Sequence, residues 1–352
     1  RRYEMPIYGG TSMNERDLQV LEQYPFSVNA SWRVRGAFLL DSSEGRLLIR
    51  EFSGSAAKVE KEQQLLAHLK ACGHRTDQII ADAEGRLVTV YREYLNYLVK
   101  ESPEGRECDT RSESEILAAV SLLAALHRDM KQVPGFERKD VERLAGIDAR
   151  EELARHNQEL RKIYTFVRRK NRKNEFEAAY IQCFSSIREE AERAERLLKE
   201  TSYEALRRQA LEEGQICHGE YIHHNLLVAG GHMTVINFEK FSVDVQMNDL
   251  YLFMRKVLEK QNYDARLGRK MLKTYSEVRP LREEEREYLG IRLLYPEKFW
   301  KLANYYYNTN KAWIPGKHME KLEKFLAQRE KRVSFSYELL YNNPRKYEKS
   351  GR

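Results

Sequence analysis

Residues 216–249 constrain this chain more than any other stretch. They read ICHGEYIHHNLLVAGGHMTVINFEKFSVDVQMND. A polar loop at 218–225 leads into a short apolar run, 226–228. Gly230 and Gly231 follow, then a β-rich run at 233–236 that ends in Asn237-Phe238-Glu239. Two apolar runs around a glycine turn predict a hairpin. The two ends of a hairpin meet in space. The polar groups before it, His218, Glu220 and Asn225, therefore converge on those after it, Asn237 and Glu239.

The rest of the chain is placed around that hairpin. With 352 residues it can bury a full core, as one large domain or as two lobes. No apolar run approaches the ~20 residues of a membrane span, and the mean hydropathy is −0.72. The chain opens on Arg1 rather than Met, so the natural start is expected upstream, no secretory signal is visible in what remains, and residues 1–10 read as a poorly anchored arm. Four scattered cysteines without a C-x-x-C pair argue against a zinc ribbon or redox dithiol, and point to reduced thiols in a cytosol-like compartment. A net charge of +7 suits an anionic ligand such as a nucleotide, or an acidic partner.

In order, the periodicity predicts a short helix at 14–24, stopped by Pro25, and strands at 32–40 and 46–52 around the turn at 42–45. A helix at 58–71 presents Leu65, Leu66 and Leu69 and ends at Gly73. Strands follow at 79–80, 87–91 and 97–100. Residues 101–105 read as a linker. Beyond it the period is helical, at 114–130, 141–144, 152–167 and 175–199, and after the hairpin at 250–260, 265–275, 283–294, 296–308 and 319–341. The expected architecture is α+β, with a small antiparallel-sheet lobe at 1–101 capping a nucleotide and a large, mostly helical lobe at 102–352 carrying the hairpin.

Phosphoryl transfer needs a clamp on the phosphates, a metal cage and a group that orients the nucleophile. The order H-x-(D/E)-x4-N, hairpin, (D/N)-F-(D/E) resembles the core of kinase-like phosphotransferases, where an acid orients the attacking hydroxyl and an amide and a carboxylate hold magnesium. On that pattern Glu220 is the candidate catalytic acid, and Asn225 the amide beside it. Asn237 stands at the metal-binding aspartate position, and Glu239, on the same side of an extended chain, is the candidate for the missing carboxylate; otherwise the pair caps the turn after the strand. Glu for Asp moves a carboxylate by about 1 Å, which costs ~100-fold in rate unless the backbone compensates. Asn for Asp removes a charge worth about 4 kcal/mol at ~4 Å and a dielectric of about 20. His218 reads as a brace of the loop.

Arg50, at the end of a strand, takes the place of the phosphate-binding lysine, with Glu62 on the next helix as its partner. Glu101, where the small lobe ends, completes the candidate cofactor-binding set. Neither G-x4-G-K-(S/T) nor G-x-G-x-x-G is present. Asp249 reads as a helix N-cap. Cys217, His218, His223 and His224 lack the spacing of a known structural zinc site. The basic run 168–173 has no interleaved aromatics and reads as a solvated helix junction or a contact with an acidic partner rather than a nucleic-acid contact. Phe299, Trp300, Tyr305, Tyr306, Tyr307 and Trp313 read mostly as core.

Together these residues resemble the CotS-type spore coat proteins of endospore-forming bacteria, from about residue 21 to 331. The motifs are R-G-A-F-L-L at 35–40, E-G-R-E-C-D at 104–109, L-L-A-A-L-H at 122–127, C-H-G-E-Y-I-H-H-N at 217–225, V-I-N-F-E-K at 235–240 and Y-P-E-K-F-W-K at 295–301. That family looks like a branch of the aminoglycoside phosphotransferase and choline kinase fold. The resemblance implies ATP and magnesium, a small-molecule hydroxyl acceptor, and spore coat proteins as partners, with synthesis in the mother-cell cytoplasm and location in the coat. The family's catalytic aspartate maps to Glu220, its amide ligand to Asn225, its metal aspartate to Asn237 and its phosphate lysine to Arg50. Three of these four positions depart from the phosphotransferase pattern. The alternative reading is a kinase scaffold without turnover that acts in coat assembly.

Overall fold

The computed structural model describes residues 15–34, 36–308 and 315–341. They fall into two compact units, divided in chain order after residues 144, 212 and 243. The first unit joins the N-terminal part to the hairpin segment.

In the first unit a 3-10 helix (Glu15–Gln23) precedes β1 (Val28–Val34), β2 (Ala37–Ser42) and β3 (Gly45–Glu51). Then come α1 (Ala56–Ala71), β4 (Ile79–Ile80), β5 (Thr89–Tyr91) and β6 (Leu95–Glu101). These six strands form one antiparallel sheet in the order β1-β2-β3-β6-β4, with β5 also paired to β6. The single strand expected at 32–40 is corrected to two. The chain turns at Gly36 (φ +73°) and pairs Val34 directly with Ala37. So short an interruption leaves the apolar pattern unbroken on both sides.

One face of the sheet buries Phe38, Leu40, Leu47, Ile49, Tyr97 and Val99 against Val20 of the 3-10 helix and Tyr24 just after it. Strand alternation sends Leu48, Arg50, Leu98 and Lys100 to the other face. The buried stripe of α1 is Val59, Glu62, Leu65, Leu66 and Leu69. Four of those five are apolar at helical spacing, and the fifth, Glu62, is the exception.

Residues 102–105 carry no regular structure. Next are β7 (Arg106–Glu107), α2 (Glu113–Asp129) and α3 (Arg138–Leu144). Ser112 caps α2 by accepting from the Glu115 amide. The hairpin segment supplies β8 (Ile216–Cys217), β9 (Leu226–Ala229), β10 (His232–Val235) and β11 (Ser242–Val243). Strand β9 lies between β10 and β7, and β11 pairs with β8. The turn needs left-handed backbone at both central positions, and Gly230 (φ +55°) and Gly231 (φ +76°) provide it.

The second unit is helical: α4 (Ala149–Arg169), α5 (Glu175–Glu200), α6 (Tyr203–Glu212), α7 (Met247–Lys260), α8 (Ala265–Val278), α9 (Glu283–Leu294), α10 (Glu297–Asn308), α11 (Pro315–Ala327) and α12 (Arg329–Tyr341). The helix expected over 319–341 is in fact two, separated at Gln328. Asp249 lies inside the first turn of α7, whose N-cap is Gln246, so the expected cap is corrected by three residues.

The basic run closes α4, where Arg168 and Arg169 complement the helix dipole, and Lys170 pairs with Glu177 at 2.5 Å. Tyr180 stacks on Phe299 at 4.9 Å between centroids, and His156 on Trp300 at 3.4 Å. Tyr305 stacks on His318 at 5.1 Å. Trp313 lies outside the described residues. Among those residues no helix is long and apolar enough to cross a membrane.

Candidate active site

The loop 218–225 is held from below by buried groups. The His218 side chain is fully buried; its Nε2 donates to the Ile236 carbonyl (3.0 Å) and its Nδ1 accepts from the Glu220 amide (3.1 Å). One ring thus ties the start of the loop to the far end of the hairpin and fixes its own tautomer. The buried hydroxyl of Tyr221 donates to the Ala119 carbonyl of α2 at 2.7 Å. Gly219 has φ +81°, and a Cβ there would lie 2.0 Å from the Lys240 carbonyl oxygen. Only glycine lets the loop pass so close to the 3-10 turn at 238–240 that follows the hairpin.

The hairpin brings the predicted polar groups together. Asn225 Nδ2 donates to the Glu220 carbonyl (2.8 Å), and its Oδ1 accepts from Asn237 Nδ2 (2.8 Å). Asn237 sits in the left-handed region (φ +67°), and its amide donates to both carboxylate oxygens of Asp77, at 3.3 and 3.2 Å. The Glu220 carboxylate, part-exposed, pairs with Lys240 Nζ at 2.9 Å.

A second cluster lies on the α1-facing side of the sheet. Arg50 Nη2 meets Glu239 Oε1 at 2.5 Å. Arg50 does not meet Glu62 as expected. Glu62 instead receives Lys100 Nζ at 2.6 Å, and the same ammonium lies 3.3 Å from Asp77 and 3.7 Å from Glu239. Lys100 is only 3% exposed. Register explains the exchange: Lys100 on β6 is opposite Leu48 on β3, two residues from Arg50 on the same face. The ammonium that partners the helix glutamate thus comes from β6, and the β3 cation is left to Glu239. Glu101 projects to the opposite face of β6 from Lys100 and does not join the cluster.

Burial opposes the charge on Lys100, but the carboxylates of Asp77, Glu62 and Glu239 outweigh it and hold the ammonium above its ordinary pKa. Burial also raises Glu62, aided by Glu239 and Asp77 and opposed by Lys100. Two cations face three carboxylates here. The arrangement keeps Lys100 charged.

Magnesium takes near-octahedral oxygen donors, with one or two carboxylates and the substrate phosphates. The three residues at the metal positions do not fit that demand. The two amides are bonded to each other, and the single carboxylate, Glu239, is already the partner of Arg50.

Lys100 and Asp77 were not singled out from the sequence. Lys100 had a signal: a lysine in the run Leu98-Val99-Lys100, on the same strand face as Leu98, is anomalous unless paired. Asp77 had none, since its partners lie far away along the chain.

The profile of the family described as "Spore coat putative kinase YutH" matches residues 17–339. The chain belongs to this spore coat kinase-like family. Spore coat protein S of Bacillus subtilis (strain 168) is 25% identical over 162 residues, which is 46% of this chain. The match spans 46% of that relative's length, about half. Among solved structures, an aminoglycoside phosphotransferase from Alicyclobacillus acidocaldarius subsp. acidocaldarius DSM 446 superposes with a TM-score of 0.81 at 18% identity, covering 94% of this chain and 96% of that one. A spectinomycin phosphotransferase, in complex with ADP and spectinomycin, gives 0.65 at 13% identity over 94% and 99%. Likeness at this identity establishes the fold. This member of the spore coat family is kinase-like α+β, an antiparallel-sheet N-terminal lobe followed by a mostly helical one.

Proposed function

We propose that this chain is a kinase-fold protein of the spore coat that binds ATP through its own cations and phosphorylates a small-molecule hydroxyl only weakly. The observation that carries this is the pairing of Arg50 with Glu239 beside the buried Lys100, in place of a free metal-binding carboxylate. In this reading the lobe at 1–101 caps the nucleotide. Arg50 swings from Glu239 to the phosphates as ATP enters. Lys100 holds Glu62 and Glu239 in place without touching substrate. Glu220 is released from Lys240, accepts a hydrogen bond from the acceptor hydroxyl and aligns it with the γ-phosphorus. The new O–P bond forms as the bond to the β–γ bridging oxygen breaks, ADP leaves, and the hydroxyl proton passes to Glu220. The nucleotide-bound spectinomycin phosphotransferase of the same fold supports ATP as the cofactor.

A second reading, a scaffold without turnover that joins other coat proteins, is favoured by the Lys240–Glu220 pair, which occupies the catalytic acid. ADP release from ATP, measured with magnesium and a panel of amino alcohols, sugars and aminoglycosides, separates the two. Slow release abolished by Glu220→Ala supports the weak enzyme. No release, with normal coat incorporation of Glu220→Ala, supports the scaffold. Turnover in the ~1–100 s⁻¹ range of working kinases would overturn both.

A further inference from the structure

We propose that Glu107, His223 and His224 form a binding site for a divalent cation of the zinc class. Each offers one donor atom, and the three donors all lie within 4.8 Å of one another. This set is distinct from the cysteine-containing one that the sequence spacing argues against, because Glu107 comes from a different part of the chain.

The backbone builds the site. Glu107 on β7 is held opposite Leu227 on β9, and the Cys108 amide donates to the Leu226 carbonyl at 2.9 Å. This approach depends on Gly105, where a Cβ would lie 3.1 Å from Leu227 Cβ and 3.2 Å from the Val228 carbonyl oxygen. Across from β7, residues 223–225 make one 3-10 turn that leads into β9. The turn sets the two imidazoles side by side, 3.9 Å between centroids and tilted by 37°. Glu107 Oε2 stands 2.7 Å from His224 Nδ1. The neighbouring Arg106 guanidinium is turned to Glu115 through both nitrogens, at 2.8 and 2.5 Å, so it does not neutralise the Glu107 carboxylate.

The Glu107–His224 ion pair and the His223 ring tilted against it bring all three donors to one place. His223 is buried, whereas Glu107 and His224 are part-exposed, which leaves an entry path from solvent. Two imidazole nitrogens and one carboxylate oxygen match the donors zinc takes with a fourth position open. They suit zinc, cobalt or nickel better than magnesium or calcium, which prefer all-oxygen sets. Tetrahedral coordination at ~2.0–2.1 Å places donors about 3.3 Å apart, so the three must draw together by side-chain rotation. A bound ion would clamp β7 to the residue next to Asn225, and so stiffen the loop that carries Glu220. The site stands independently of the phosphotransfer reading.

The test is calorimetric titration of the full chain, first stripped with a chelator, with zinc chloride. One saturable site is expected, with a rise in the thermal midpoint. Glu107→Gln and His224→Ala each weaken it by at least the ~10-fold that loss of a ligand's outer hydrogen-bond partner costs. Circular dichroism of both variants verifies that they fold, and Glu107→Gln is nearly isosteric at a part-exposed position. Cobalt chloride gives a second readout: a visible d–d band without thiolate charge transfer. Absence of saturable zinc binding, binding unchanged in both folded variants, or a thiolate band implicating Cys72, Cys108, Cys183 or Cys217 would overturn the proposal.

Discussion

Replacing Lys100 with methionine removes a buried cation that touches three carboxylates. Met fills much of the aliphatic volume, so the change is chiefly electrostatic. It leaves Glu62, Asp77 and Glu239, 2.6, 3.3 and 3.7 Å from the lost nitrogen, with Arg50 reaching only Glu239. Removing one partner of a buried pair costs ~3–5 kcal/mol, a large part of the 5–15 kcal/mol typical of a folded protein. The loss has a predictable pH dependence. Lys100 has a raised folded pKa, so its contribution is fully present at neutral pH, below its unfolded value. Burial already raises Glu62, and without Lys100 it rises further. A carboxyl with a raised folded pKa favours the folded state in acid and loses that contribution as pH rises through the folded value. The deficit of the Lys100→Met variant is therefore largest at neutral pH and shrinks toward pH 4. Urea unfolding of both proteins across that range measures it. A deficit of ~1 kcal/mol or less at pH 7, the range of exposed pairs, or one that does not shrink in acid, would refute the reasoning.

Gly219→Ala is expected to lose at least the ~1–3 kcal/mol of left-handed backbone strain, with more from the contact with the Lys240 carbonyl, and its urea midpoint reports this. Arg50→Met should fold normally and weaken ATP binding by ~10–100-fold, the range of one charge-assisted hydrogen bond, as read by calorimetry; unchanged affinity would exclude Arg50 from the phosphates. In the second unit, burial lifts Asp244 to about 6. Its folded pKa is raised, so it contributes stability below its unfolded value of about 3.9 and loses it as pH climbs through about 6. Asp244→Asn should flatten the stability profile between pH 4 and 7, and an unchanged slope in thermal melts would contradict this.

Much of this was legible in the chain. The glycine pair and flanking apolar runs specify the hairpin, and the hairpin alone brings Glu220, Asn225 and Asn237 together, because local turn chemistry fixes register. The helix carrying Glu62 follows from periodicity and from the breaker at Gly73. The exchange of partners between Arg50 and Lys100 was not legible. It depends on which residue of β6 lies opposite Leu48, and a register between strands some fifty residues apart is set by packing rather than by neighbours in sequence. The break at Gln328 was hidden because apolar spacing continues through it into α12. Helix α6 was hidden because its apolar positions, Tyr203, Leu206 and Ala210, are few and spaced within a polar stretch.

The central proposal is that Arg50, released from Glu239 and positioned by the Lys100 cluster, meets the ATP phosphates without a metal held by Asn225, Asn237 and Glu239. Calorimetric titration of the full chain with ATP, in the presence of magnesium and then of a chelator, tests it directly. The account predicts saturable binding whose affinity changes by less than about tenfold, or 1.4 kcal/mol, when magnesium is withdrawn. Binding that appears only with magnesium, and survives Arg50→Met, would contradict it.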